Sequence, residues 1–219
     1  EGSVRVNISD VRDPFSIREL LKGVEVIFNL AGQTSHADSM QDPFADLEIN
    51  SKAQLSLLEA VRAIAPEAIV VFASTRQIYG RPLYLPVDEN HPIRPVDVNG
   101  VNKAAGEQFH MLYHDVYGIR ATALRLTNTY GPGMRVKDAR QTFLGIWIKN
   151  LLQGEAIHVY GDGKQLRDFN YVDDVVDALI SASISPSCYG RVFNLGSSEV
   201  INLGDLATQL TSKCPKSSW

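Results

Sequence analysis

Apolar residues along this chain recur in short blocks separated by polar joints rich in glycine and proline. Val4, Val6 and Ile8 alternate with polar neighbours, the period of a half-buried strand. Asp13-Pro14 follows as an N-cap with proline at the first helical position and predicts a helix to about Lys22. VEVIFNLAG (24–32) is mostly apolar and ends in glycine, the pattern of a buried parallel strand. A helix is expected over roughly 43–64, closed by Pro66, and AIVVFAST (68–75) reads as a second buried strand. The proline-rich stretch 81–98 predicts an extended loop. A helix is then expected from about Asn99 to Tyr117, with Val101, Ala105, Phe109, Leu112 and Val116 on one face and Gly118 as its stop. ATALRLTN (121–128) is the next strand. Beyond it, IHVYGDGKQLRDFNYVDD is loop-rich between a short strand and a helix at about 172–184, followed by a short strand RVFNLG and a helix at 202–212. Strands alternating with helices predict an α/β fold, a doubly wound parallel sheet covered on both faces.

Composition narrows the function classes. Of 219 residues, 44% are hydrophobic and 21% charged, as in an ordinary globular protein, and the net charge of -4 gives no footprint for nucleic acid or an anionic membrane. No apolar run reaches the length of a membrane span, and residues 1–10 do not read as a signal peptide, so a cytoplasmic protein is expected. Cys188 and Cys214 form neither a disulfide framework nor a metal spacing. Asp173-Asp174 lacks a third ligand; no metal is expected, and the pair reads as the N-terminal cap of the following helix. Glu1 opens without a methionine on a strand pattern, and TSKCPKSSW breaks off a helix, so the chain is expected to be a fragment.

Several residues carry chemistry in themselves. NLAG ends a strand at the edge where open α/β sheets bind ligands, although a tight turn would also want Gly32. Thr75 ends the next strand with a hydroxyl that can donate and accept. Asn99 and Lys103, four apart, share one helix face. Arg167 offers a planar fork suited to phosphate oxygens, or a surface pair with Asp168. Asp10 and Asn50 read as easily as a loop aspartate and a solvated helix asparagine.

Five stretches in one order, NLAGQTSH, FASTRQIYG, NGVNKAAGE, RLTNTYGPG and YGDGKQLRDFNYVDD, resemble the extended short-chain dehydrogenase/reductase superfamily, in its NAD-dependent nucleotide-sugar epimerase/dehydratase branch. The resemblance implies a Rossmann-like core. Residues 1–130 would be a partial NAD-binding core, and 131–219 mainly a truncated substrate-binding region with strands returning to the core. The family's G-x-x-G-x-x-G turn, which brings backbone N–H groups to the pyrophosphate, is absent, so the first βαβ unit is missing and its neighbours should expose apolar faces and unpaired backbone.

By the same resemblance, Asp10 and Val11 contact adenine, and Leu30, Ala31 and Gly32 line the nicotinamide side of NAD. Asn50 supports the active-site loop, and Thr127 lies by the nicotinamide amide. Thr75 bonds the substrate oxygen, Asn128 contacts the substrate's phosphate or sugar, and Arg167 clamps the diphosphate. Arg76-Gln77 stands where sugar 4,6-dehydratases carry two carboxyls as acid and base, which argues for epimerisation instead. Family catalysis uses Y-x-x-x-K, in which the lysine binds the nicotinamide ribose and depresses the phenol's pKa. Here Lys103 is present, but Asn99 replaces the tyrosine and cannot titrate near neutrality. Three explanations are open: another base (Tyr79, Tyr84 or His36), Lys103 itself, or binding without turnover. The implied function is UDP-hexose 4-epimerisation through a keto-sugar by a homodimer paired through helices 43–64 and 99–117. The rival is a non-catalytic sensor of NAD(H) or a sugar nucleotide.

Overall fold

The computed structural model describes residues 3–136 and 142–213. Four parallel strands, β1 (Val26–Asn29), β2 (Ile69–Thr75), β3 (Arg120–Leu126) and β6 (Arg191–Leu195), form the main sheet in the order β1-β2-β3-β6. A smaller sheet joins β4 (Asn128–Tyr130), β5 (Leu166–Tyr171) and β7 (Val200–Asn202), with β5 central, parallel to β4 and antiparallel to β7. One face of the main sheet carries α1 (Pro14–Leu20), α4 (Ala53–Ile64) and α5 (Val98–Tyr117), packed through Leu57, Leu58, Val61, Val70 and Ile119. The other face carries α7 (Val172–Ile184), through Val175 and Leu179 against Val71 and Leu124. A third core, around Trp147, Leu151 and Ile157, joins α6 (Phe143–Gln153) to α8 (Leu203–Lys213).

Local chemistry sets the boundaries. Asp13 caps α1 by accepting from the N–H groups of Phe15 and Ser16, and Gly118 ends α5 at φ 73° in the left-handed region. The helix expected at 43–64 is three pieces: α3 (Pro43–Leu47), a π turn at Glu48–Lys52, and α4; a short α2 (His36–Gln41) precedes them. Val4, Val6 and Ile8 do not form a strand. They are 79–99% exposed, because the described residues offer no neighbouring strand against which their alternation could bury a face. β1 is accordingly an edge, with Val26 and Phe28 partly exposed. The strand expected near residue 157 is also absent; the ordered strand is β5, within the stretch read as loop. Asp173 and Asp174 sit in the first turn of α7 but do not cap it, since its N-cap is Tyr171, without a side-chain bond. Cys188 is a free, partly buried thiol; Cys214 lies outside the described residues.

Helix α5 departs from the expected pattern, although Phe109 of the predicted stripe packs against the core and Ala105 is half-buried. Val101, Leu112 and Val116 are exposed, while Asn99, Asn102, Lys103, Glu107 and His110 are buried. Two devices make a polar face packable. Gly106 lets the helix approach the π turn closely; a Cβ there would stand 2.7 Å from the Asn50 carbonyl oxygen. The inward polar groups are also paired, Lys103 by a single long hydrogen bond. His110 stacks on Phe72 at 4.3 Å between ring centroids and bonds the Gly106 carbonyl through Nδ1. Glu107 takes Ser74 Oγ at 2.6 Å and a two-point contact from Arg125, whose Nη1 donates to Tyr79 Oη at 2.6 Å. Tyr79 donates onward to Asn194 on β6. This buried network ties α5 to β2, β3 and β6.

Removing one member of the Glu107–Arg125 pair strands its partner's charge in the interior, which typically costs about 3–5 kcal/mol. Glu107→Leu and Arg125→Met should each lose stability on that scale in urea unfolding, and the double variant should lose clearly less than their sum. Additive losses would contradict the pairing.

Candidate active site

The site is built at the C-terminal ends of β1 and β2, where the polar face of α5 meets the loop after β1. Leu30, Ala31 and Gly32 lie exposed along that loop. The next residue is clamped: Gln33 N–H donates to Asn50 Oδ1 at 3.2 Å, and Asn50 Nδ2 returns to Gln33 O at 3.0 Å. Asn50 is fully buried on the π turn. Beneath it lies Asp46, a buried carboxylate that accepts from Asn50 at 3.0 Å, Asn99 at 2.9 Å and Asn102 at 2.8 Å. Asn99 also donates to Gln33 O at 2.8 Å and is only 1% exposed. Its carboxamide is therefore a strut between loop, α5 and Asp46, not a group presented to the cleft as expected of a catalytic residue.

Lys103, one turn further on, is 6% exposed, and its described contacts are one hydrogen bond, to Ala73 O at 3.3 Å, and the Phe72 ring. Burial lowers its pKa from 10.5 to about 8, against a smaller upward pull from Asp46. An ammonium has three donors, so two lack partners here. Gly32 stands against it: a Cβ at Gly32 would come within 2.5 Å of Nζ. A side-chain-free loop over an under-bonded buried cation fits the nicotinamide-ribose half of NAD, and Lys103 is the residue that would hold its hydroxyls.

Thr75 closes β2 two residues beyond Ala73. Its Oγ1 accepts from Gln77 N–H at 3.2 Å, which leaves the hydroxyl hydrogen free to donate. Gln77 Nε2 contacts His36 Nε2 at 2.8 Å, and His36 Nδ1 bonds Asp97, the N-cap of α5. Two other candidate bases are engaged elsewhere. Tyr79 lies in the Arg125 network and burial raises its pKa; Tyr84 donates to Asp88 at 2.7 Å, and that bond raises its pKa. Arg76, next to Thr75, has its pKa lowered, first by desolvation and then by the charge of Arg167. Arg167 donates to its own neighbour, Leu166 O, and lines an open cavity of about 300 Å³ with Trp147, Asn150, His158 and Tyr160. Asn128 holds Asp168 O at 2.9 Å, and Thr127 Oγ1 accepts from Asn170 at 2.8 Å, so both brace the junction of the two sheets.

Gly32, Asn50, Asn99 and Lys103 thus gather around the loop after β1, with Thr75 two residues beyond the carbonyl that Lys103 bonds, whereas Arg167 lines a separate cavity with Trp147 and His158. Asp10 and Val11 do not join them: they lie in a turn before α1, where Asp10 is held by Arg12 at 2.6 Å. Sequence reasoning missed Asp46 and Asp97. The four-residue spacing of Asp46 and Asn50 and the position of Asp97 at a helix start were the available signals. Among the described residues no group of three or more His, Cys, Asp or Glu could hold a metal, and no helix is long and apolar enough to cross a membrane.

Residues 2–196 match the NAD dependent epimerase/dehydratase family, and the chain belongs to it. The family is NAD dependent. The chain is 34% identical over 199 residues to a putative UDP-glucose 4-epimerase of Methanocaldococcus jannaschii, covering 90% of this chain and 64% of that one. In structure it resembles the UDP-glucose 4-epimerase of Thermotoga maritima solved with UDP-glucose, with TM-score 0.88 and 29% identity over 95% of this chain and 67% of that one. It also resembles MoeE5 in complex with UDP-glucose and NAD, with TM-score 0.87 and 29% identity over 99% of this chain and 72% of that one. The chain thus spans less than two thirds of the length of its M. jannaschii relative.

The depressed pKa of Lys103 has a signed consequence. Below about pH 8 the folded protein must charge a buried amine, so this cost to stability is full there and fades as pH rises from about 8 toward 10.5. Lys103→Met should be more stable than the parent at pH 7, by up to about 3 kcal/mol at 1.36 kcal/mol per pKa unit. In urea unfolding across pH 7–10 the gap should narrow with rising pH; a constant gap would refute it.

Proposed function

We propose that the protein interconverts epimers of a nucleotide sugar, as a UDP-hexose 4-epimerase does, by transient oxidation to a keto-sugar with NAD. The observation that carries this reading is the placement of Lys103 on the Ala73 carbonyl, two residues before Thr75, under the glycine of the β1 loop. NAD supplies the hydride acceptor and donor. Thr75 donates to the sugar oxygen being oxidised, Lys103 holds the ribose, and Arg167 grips the diphosphate. Leu30, Ala31, Gly32 and Thr127 border the nicotinamide, Asn50 steadies its loop, Asn128 meets the sugar, and Asp10 with Val11 receives adenine. Epimerisation is favoured over dehydration because Arg76 and Gln77 supply no carboxyl pair. Residues up to about 130 serve NAD and the later ones mainly the sugar nucleotide. Exposed Val101, Leu112 and Val116 on α5 support pairing of two copies along that helix.

One observation favours a second reading, a sensor that binds NAD(H) or a sugar nucleotide without turnover: Asn99 stands where the family's base stands, and its amide is committed to structure. Incubation with NAD and single UDP-hexoses, followed by proton NMR of the anomeric signals, separates the two. The epimerase reading expects a second sugar to appear, and Lys103→Ala to abolish it. Saturable binding in calorimetry with no new sugar would establish the sensor instead.

A further inference from the structure

The missing tyrosine leaves the proton of the sugar hydroxyl without an acceptor, and four side chains could take it. Tyr79 is bonded on both sides and buried, and Tyr84 gives its proton to Asp88. Lys103 directs its ammonium at the Ala73 carbonyl. His36 remains, and its surroundings are those of a base. It opens α2 at the mouth of the loop, with a side chain 56% exposed, so a substrate can reach it. Asp97, itself nearly buried, bonds Nδ1 through one oxygen while its other oxygen accepts Gly100 N–H at 2.6 Å; the carboxylate cannot swing away without uncapping α5. A carboxylate at Nδ1 fixes the proton there and leaves a lone pair on Nε2. That lone pair meets the Gln77 amide at 2.8 Å, and Gln77 in turn bonds Thr75 Oγ1 through its backbone N–H. Nε2 therefore points at the turn that carries the hydroxyl assigned to the reacting oxygen.

We propose that His36, held by Asp97, is the catalytic base that replaces the family's tyrosine, an inference that rests on the epimerase reading above. The sugar hydroxyl takes the place of the Gln77 amide at Nε2. Its proton passes to Nε2, the carbon–oxygen bond becomes a carbonyl, and the carbon's hydrogen leaves with its electron pair to the oxidised nicotinamide of NAD. On return the imidazolium gives the proton back, and Asp97 balances its charge in the interval. Gln77 is a positioning residue that keeps the ring aimed at Thr75 while the site is empty of sugar.

The test combines turnover with a measurement that needs neither cofactor nor turnover. In nitrogen-15 NMR of the protein alone, with His36 assigned by its loss in His36→Gln, the neutral ring should be the Nδ1–H form, and Asp97→Asn, which keeps the cap, should shift it toward Nε2–H. A ring already in the Nε2–H form overturns the proposal. With NAD and UDP-hexose, His36→Gln should lower kcat at least about a hundredfold, the usual worth of a general base, with sugar-nucleotide affinity changed less than about threefold. Free imidazole should restore part of the rate in His36→Gly, which a merely structural role would not allow. Undiminished turnover in His36→Gln sinks the inference and leaves the epimerase reading standing; absence of turnover in the parent protein sinks that reading itself.

Discussion

The Glu107 carboxylate, buried under the sheet and clamped by Arg125 and Ser74, is the contact on which the rest of the site depends. It fixes the rotation of α5. With that rotation set, Lys103, one turn earlier on the same face, must lie against the end of β2, and Asn99, another turn earlier, must meet the loop after β1. A helix packed by its apolar stripe would instead have turned Val101 and Leu112 inward and carried Lys103 into solvent.

Inward polar groups of this kind need full pairing, because a buried donor or acceptor left alone costs about 1–3 kcal/mol. The structure meets the requirement with amides around one carboxylate. Asp46 accepts from three asparagines, and two of these also hold Gln33. The exception is Lys103, which keeps one long hydrogen bond in a desolvated position. The most incompletely bonded charge in the assembly is thus the one that the cofactor ribose would complete. The substitution of asparagine for tyrosine fits the same logic. A carboxamide can serve Gln33 and Asp46 together, a structural task that a phenol could not take over.

Legibility in the sequence followed burial. β2, β3 and the ends of α5 were readable because continuous apolar runs and a left-handed glycine mark them whatever the surroundings. The four-residue spacing of Asn99 and Lys103 put both on one face of α5, and that face is buried. The buried face of α5 was not readable, since its apolar stripe pointed to the opposite side and only tertiary pairing with Asp46 and Arg125 reverses the choice. The π turn at Glu48–Lys52 leaves no trace in periodicity, although it sets Asn50 beneath the loop. β5 escaped because LRDFNY mixes charge and apolar residues and its partners β4 and β7 are three residues each. Val4, Val6 and Ile8 show the reverse case, a strand pattern that pairs with no strand among the described residues.

A crystal structure of the protein with NAD bound tests the central claim most directly. The account predicts the nicotinamide ribose on Lys103 Nζ beneath Gly32, with Thr75 facing the ring and Asn99 still bonded to Gln33 and Asp46. A dinucleotide lying elsewhere, or Asn99 turned out of its network into the cleft, would contradict it.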